Sequence, residues 1–116
     1  MKITIKDQKL YMNGKYYCDS KEPSVPKGKY NIAFVHTNRF NSMMPVINVP
    51  GYKDIMFCWC WEKCNREINC EFCDAIQLGK INSSGELSEG RKKFNYFYNY
   101  IRHPAKEDKE IVLEIN

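Results

Sequence analysis

Five of the six cysteines in this chain of 116 residues lie close together in one polar segment. They are Cys58, Cys60, Cys64, Cys70 and Cys73. A structural zinc ion takes four such thiolates in a tetrahedron, commonly as two close pairs. Cys70-x2-Cys73 supplies one pair and Cys60-x3-Cys64 the other, with a connection shorter than in a zinc finger. The pattern predicts a compact structural zinc clip, and metal binding would order a polar loop that has no core of its own.

A cysteine nucleophile is the second chemistry that this segment allows. A thiol attacks as the thiolate and needs a base or a cationic partner near neutral pH. The chain contains two histidines, His36 and His103. Pairing Cys73 with His36 would give an active cysteine peptidase or transpeptidase. Ordinary positions also explain both imidazoles, since His36 falls at a strand end and His103 near the negative end of a helix dipole.

Two further interpretations of the cysteines stay open. Six is an even number that suits three disulfides, but disulfides persist mainly in oxidising compartments. A secreted, disulfide-stapled interaction protein would therefore need an export route. Alternatively, Cys58 and Cys60 are small buried hydrophobes on one face of a strand, with Trp59 and Trp61 opposite. That interpretation does not suit Cys64, which stands among charged residues.

Length and composition predict a single domain, 1–116, with residues 58–74 as a cysteine-rich loop insertion. A hydrophobic content of 43% is enough for one core. The net charge of +4 comes from 18 basic and 14 acidic residues spread along the chain, so it gives no specific nucleic-acid signal. The apolar run 43–49 is too short for a membrane span. The first residues lack a signal peptide, so we expect a cytoplasmic protein unless another route, such as a phage lysis system, exports it.

Alternating apolar and polar residues predict a mainly β domain. Asn13-Gly14 stands between two such runs, 10–12 and 15–18, and is the strongest short-range hairpin signal. The other predicted strands are 2–6, 30–36, 45–49, 55–58, 75–78 and 111–115, the last with Ile111, Leu113 and Ile115 inward. Proline-rich and glycine-containing segments at 22–28 and 82–85 predict loops.

One helix is predicted in the C-terminal half. Phe94, Phe97, Tyr98 and Ile101 recur at i, i+3, i+4 and i+7, which places them on one helix face. Ser88 is the predicted N-cap. Because proline cannot continue a helix, the helix is expected to end near His103, the residue before Pro104.

An ordered series of short motifs resembles a family of small L,D-transpeptidase-like domains of unknown function in bacteria and phages. The motifs run through nearly the whole chain, and their shared order carries the resemblance more than any one of them. They are Gly14-Lys15 with Cys18, Ser20-Lys21-Glu22, Pro26-Lys27-Gly28-Lys29-Tyr30, Arg39-Phe40, Pro45-Val46-Ile47-Asn48-Val49-Pro50-Gly51-Tyr52, Ile55-Met56-Phe57, Ile76-Gln77-Leu78-Gly79, Arg91-Lys92-Lys93-Phe94 and Ile111-Val112-Leu113-Glu114-Ile115.

The resemblance implies a small mixed or antiparallel β-sheet domain, sandwich or barrel-like, that is altered where the catalytic pair should stand. In active relatives a histidine on one strand faces a cysteine on the next. Here Cys58 matches the histidine, and Ala75 matches the cysteine unless a two-residue register shift, which preserves strand face, brings in Cys73. The resemblance therefore implies a catalytically degenerate domain with a binding role linked to the cell wall or to phage biology, with peptidoglycan, a peptide or a small molecule as its ligand.

Overall fold

Alternating side chains along the chain produce a β structure with a single α-helix in the part that can be described. The computed structural model describes residues 1–21, 25–37, 42–52, 55–58, 76–107 and 109–116. The strands are β1 Lys2–Lys6, β2 Lys9–Met12, β3 Lys15–Ser20, β4 Gly28–Thr37, β5 Ser42–Ile47, β6 Ile55–Cys58, β7 Ile76–Ile81, β8 Leu87–Ser88 and β9 Val112–Ile115. The helix α1 spans Gly90–Lys106.

Eight of these strands form a closed barrel. Their order is β3-β2-β1-β9-β4-β5-β6-β7, and β7 pairs back onto β3 through Asp19–Gly79 and Ser20–Leu78. The pairs β1–β9 and β6–β7 are parallel, and the other pairs are antiparallel. The short β8 pairs with β7 outside the closed ring. The predicted mainly β architecture with one helix is confirmed, and its sheet is a barrel.

The predicted hairpin is present at Asn13-Gly14. Both residues have positive φ angles, 50° and 86°, as the two central positions of a type I′ turn require. The Asn13 amide donates to the Lys2 carbonyl at 2.8 Å, and the Lys2 amide donates to Asn13 Oδ1 at 3.0 Å. The turn is thus tied to β1 as well as to its own strands.

The barrel interior is filled by one face of each strand. The prediction for the last strand is confirmed, because Ile111, Leu113 and Ile115 are buried. Residues with less than 2% exposure include Ile3, Leu10, Ile47, Phe57, Ile76, Leu78 and Leu113. Burying a side chain of this size stabilises the fold by about 1.5–3 kcal/mol before the entropy of ordering is subtracted.

The predicted helix face packs into this interior. Phe94, Phe97 and Ile101 are buried and Tyr98 is half-buried, as the periodicity predicts. The Phe97 ring lies 5.1 Å from the Phe57 ring, centroid to centroid, so α1 packs directly against β6. The same contact fixes the helix beside the start of the cysteine-rich segment.

Both predicted helix ends are wrong. Ser88 belongs to β8, and its hydroxyl donates to the Lys80 carbonyl at 3.1 Å, so it does not cap the helix. Glu89 stands at the N-cap in a left-handed conformation and makes no side-chain cap. Pro104 lies inside the last turn, and the helix continues to Lys106. A proline there lacks an N–H, so the helix gives up one backbone bond, the one to the Tyr100 carbonyl, within a turn of its end.

Candidate functional site

The strand pair β6–β7 flanks the cysteine-rich segment. Phe57 pairs with Ile76 and Cys58 with Gln77 in parallel register. Parallel strands cannot be joined by a tight turn and need a long connection. Here that connection is residues 59–75, and it leaves and rejoins the barrel at neighbouring positions. The strands that the resemblance assigns to the catalytic histidine and cysteine are therefore direct neighbours.

The predicted metal ligands fall at the edge of the described residues or beyond them. Cys58 ends β6, and only its backbone is described. Cys60, Cys64, Cys70 and Cys73 lie outside the described residues, so both the zinc clip and the Cys73 nucleophile stay predictions. Among the residues that are described, no group of three or more histidine, cysteine, aspartate or glutamate side chains could hold a metal ion.

His36, the predicted base, lies near the end of β4. Its side chain is exposed, and its register partner is Met43 of β5. Since β5 stands between β4 and β6, His36 is two strands away from Cys58, about 10 Å across the sheet. No described thiol lies beside its ring. Whether Cys73 approaches His36 is outside the described residues.

The second histidine makes a local contact at the helix end. His103 Nε2 lies 3.0 Å from Glu107 Oε1, at i and i+4, and the imidazole is exposed. Lys109 Nζ lies 2.9 Å from Glu107 Oε2. A histidine in the last turn interacts favourably with the negative end of the helix dipole, so this position agrees with the structural explanation given by the sequence.

Cys18 is the cysteine whose environment is fully described. It is 1% exposed and lies on β3, close to the seam where β3 meets β7. Burial raises the pKa of its thiol to about 12, although a hydrogen bond with the Gly79 backbone and the charge of Lys93 oppose the shift. The thiol is therefore protonated at neutral pH and has the character of a buried hydrophobe.

The face of β5, β6 and β7 that points away from the interior is also partly buried. Val46 of β5 and Gln77 of β7 are 6% and 7% exposed, and Met56 between them is half-buried. Val46 pairs with Met56, and the neighbours of each along its strand point into the core. We call Val46, Met56 and Gln77 the outer patch. Sequence reasoning missed it, although a glutamine between Ile76 and Leu78 is the signal that could have found it.

An open groove lies beside the start of β4. It has a volume of about 630 Å³ and is lined mainly by Pro26, Tyr30, Asn31, Asn48 and Pro50. The Tyr30 hydroxyl donates to the Pro26 carbonyl at 2.6 Å, which holds one wall in place. We call this the Pro26–Pro50 groove. Residues on both sides of the groove belong to motifs quoted for the resemblance, but the sequence alone does not show that these motifs lie close together.

Comparison with known proteins gives no match: no protein-family model, no curated protein and no solved structure matches this chain. The resemblance to L,D-transpeptidase-like domains therefore stays a prediction. Within the described residues, α1 is neither long nor apolar enough to cross a membrane.

Proposed function

We propose that this chain is an L,D-transpeptidase-like domain that has lost its catalytic pair and works by binding. The observation that supports the proposal is the parallel pairing of β6 with β7, because the resemblance expects its histidine and cysteine strands to be neighbours and matches Cys58, at the end of β6, to the histidine. A thiol in that position cannot serve as the base or cation that a nucleophilic cysteine needs. His36 lies on β4, two strands away, which agrees with a degenerate site.

The proposed ligand site is the Pro26–Pro50 groove, and the proposed ligand is a cell-wall peptide or glycan fragment. Ligand pockets are commonly about 300–1,000 Å³ and combine an apolar lining with a few polar groups. The groove has this size, with a tyrosine ring and two prolines against the amides of Asn31 and Asn48. Asn31 and Asn48 are exposed and able to donate and accept hydrogen bonds.

The proposed structural element is a zinc ion held by four of the cysteines 58, 60, 64, 70 and 73. Elemental analysis of protein purified without a histidine tag should find close to one zinc per chain. Cys70→Ser should abolish that metal, whereas Cys18→Ala should retain it because Cys18 is buried in the barrel wall. Metal-free protein with free thiols would contradict the clip. Intact masses after alkylation, with and without reductant, would detect disulfides.

Two experiments test the binding role against catalysis. Sedimentation with purified peptidoglycan should retain the wild-type protein, and Asn48→Ala should bind more weakly, whereas Asn95→Ala on the exposed side of α1 should not. Iodoacetamide at mildly acidic pH should label the cysteines of the 58–73 segment slowly and without preference. Selective rapid labelling of Cys73 would indicate a thiolate with a lowered pKa and would favour the active-enzyme alternative.

A further inference from the structure

The strand β4 changes its neighbour partway along its length. Residues 28–31 pair with β9, whereas residues 32–37 pair with β5. In the part of the chain that the structure describes, no strand pairs with the other edge of residues 28–31. We call this edge the open edge. The Pro26–Pro50 groove runs along it, because residues 28–31 form one wall of the groove.

Backbone groups of the open edge point into the groove. The Ile32 amide donates to the Ile111 carbonyl at 2.8 Å, so the backbone of Ile32 is directed toward β9. In an antiparallel ladder, successive residues direct their N–H and C=O groups to opposite edges of the strand. The backbone groups of Lys29 and Asn31 are therefore directed away from β9 and toward the groove. An unpaired edge of this kind is a template for another extended chain.

The chain does not pair the open edge by continuing β5. The register between β4 and β5 begins at Ile32 and Ile47, and its continuation would place Pro50 opposite Lys29. Proline has no N–H group, so Pro50 could not donate to the Lys29 carbonyl and would interrupt the ladder. The sequence therefore ends β5 before it can occupy this edge.

A turn then carries the chain away from β4. The Tyr52 amide donates to the Val49 carbonyl at 3.0 Å, which closes a four-residue turn. Pro50 suits the second position of a type II turn, and Gly51, with a φ angle of 85°, suits the third. Because the chain turns here, β4 and the segment after β5 diverge, and the groove lies between them.

We propose that the Pro26–Pro50 groove binds an extended peptide, which pairs with the open edge of β4 as an added strand. In this mode of recognition, main-chain hydrogen bonds supply affinity and alternate side chains supply specificity. The four residues of the open edge span about 13 Å, enough for about four peptide residues. This inference rests on the proposed function, because it concerns the same groove, and it narrows the ligand from a peptide or glycan to a peptide. A glycan has no ladder of N–H and C=O groups to match the edge.

Amide hydrogen exchange, followed by NMR on the full chain, tests the pairing directly. In the free protein the amides of Lys29 and Asn31 should exchange quickly, whereas the Ile32 amide, which is bonded to Ile111, should exchange slowly. The probe is a hexapeptide of alternating valine and serine, blocked at both ends. At about ten times its Kd, it should slow the Lys29 and Asn31 amides about tenfold, since only unbound protein exchanges. Slow exchange of both amides in the free protein would show that the edge is already paired and would overturn the inference.

Fluorescence anisotropy with the labelled hexapeptide separates main-chain from side-chain recognition. Asn31→Pro removes an N–H that faces the groove and leaves the bonds to β9 in place, so it should weaken binding about 2- to 13-fold. Asn31→Ala keeps that N–H and should lose less. Asn95→Ala, on the exposed side of α1, should bind like the wild type. Thermal unfolding checks that Asn31→Pro keeps its fold.

A change in the peptide gives the same test without altering the protein. Methylating every peptide nitrogen removes its donors and adds bulk at the edge, so binding to the wild type should fall at least about tenfold. Equal binding of the two peptides would overturn the inference, and so would an unchanged Asn31→Pro variant or no binding of the unmethylated peptide. Displacement of the peptide by a chitin tetrasaccharide at equal concentration would assign the groove to a glycan instead.

Peptidoglycan sedimentation, measured on the same variants, separates this inference from the proposed cell-wall function. A wild-type protein that sediments with peptidoglycan but ignores the hexapeptide would keep the cell-wall function and overturn the added strand. A protein that binds the hexapeptide without sedimenting would keep the added strand and contradict the cell-wall function.

Discussion

Two parts of the barrel wall bury their outer faces to different degrees. On β1, β9 and β4 the outer face is wet: Glu114 Oε2 lies 3.2 Å from Lys2 Nζ and 3.8 Å from Lys29 Nζ, and both lysines are largely exposed. On β5, β6 and β7 the outer patch contains Val46 and Gln77, which are nearly inaccessible. The first wall, β1, β9 and β4, separates the core from solvent, and we call it the wet wall. The second wall, β5, β6 and β7, is buried on both faces.

The difference explains why the two walls have different sequence patterns. A strand with one wet face alternates between apolar and polar residues, and β1 and β9 do so. A strand buried on both faces becomes continuously apolar. β5 has such a run, and it also contains Pro45, which is tolerated because, in the described part of the chain, β5 pairs with β6 through Val46 and Ile47 and not through Pro45. The wall beside the candidate site is thus the one whose strands carry the weaker strand signal.

The largest expected effect comes from placing a charge in the outer patch. Val46→Asp should lower the free energy of unfolding by about 3 kcal/mol or more, because it buries an unpaired carboxylate. Ala33→Asp is the matched control, since Ala33 is exposed and is the register partner of Val46 on the same face. It should cost about 1 kcal/mol or less. Equal urea midpoints for the two variants would show that the outer patch is not covered.

A smaller effect is expected where β7 approaches β8. A Cβ atom on Gly79 would overlap the Ser88 carbonyl oxygen and lie 2.8 Å from Leu87 Cγ. Gly79→Ala should therefore destabilise the barrel by about 1–3 kcal/mol through overpacking. Lys80→Ala, at the next and exposed position, should stay within about 0.5 kcal/mol. Thermal or urea unfolding of both variants measures the difference, and a neutral Gly79→Ala would mean that β8 moves aside easily.

Alkaline pH should weaken the seam where β3 meets β7 and the barrel closes. Burial raises the pKa of Cys18 from 9.0 to about 12, and burial, followed by the charges of Cys18 and Tyr96, raises that of Tyr17 from 10.0 to about 12. The unfolded chain therefore loses these protons first, so stability is fully present below about pH 9 and falls as pH rises toward 12. Cys18 alone contributes at most about 1.4 kcal/mol per pH unit.

Urea unfolding between about pH 8 and about pH 11 measures this loss. Cys18→Val removes the ionisable thiol while keeping an apolar side chain, so its stability should fall less steeply with pH. In the folded wild type, Cys18 should also resist alkylation at neutral pH. If the free energy of unfolding of Cys18→Val fell as steeply with pH as that of the wild type, the loss of stability would belong to groups other than Cys18.

The sequence predicts best the elements whose signals are local. The Asn13-Gly14 turn and the periodicity of Phe94, Phe97 and Ile101 are each confirmed within a short stretch of chain. Closure of the barrel is different, because it rests on pairing between Asp19 and Gly79, far apart in the chain, which no local pattern encodes. The predicted N-cap is wrong for a related reason, since the contact of Ser88 with Lys80 of β7 overrides its capping preference.

For the candidate site, the sequence predicts which strands are neighbours but not which side chains come together. The resemblance made the Ile55–Cys58 strand a neighbour of the strand that begins at Ile76, and the two pair in the structure. The Pro26–Pro50 groove joins residues from separate elements, so its position follows from the barrel topology. The roles of the four cysteines from Cys60 to Cys73 stay predictions that metal analysis and alkylation test.

The smallest expected effect is on the wet wall itself. Hydrogen bonding with Lys2, and secondarily with Asn116, lowers the pKa of Glu114 below its ordinary 4.5. Its contribution to stability is therefore present above about pH 4.5 and is lost as pH falls through the lowered value. Glu114→Gln should flatten the acid side of the stability profile, and Glu86→Gln, at an exposed turn, should leave it unchanged. Because exposed ion pairs are screened, added salt should shrink the difference between wild type and Glu114→Gln, and a salt-independent difference would mean that this wall is also covered.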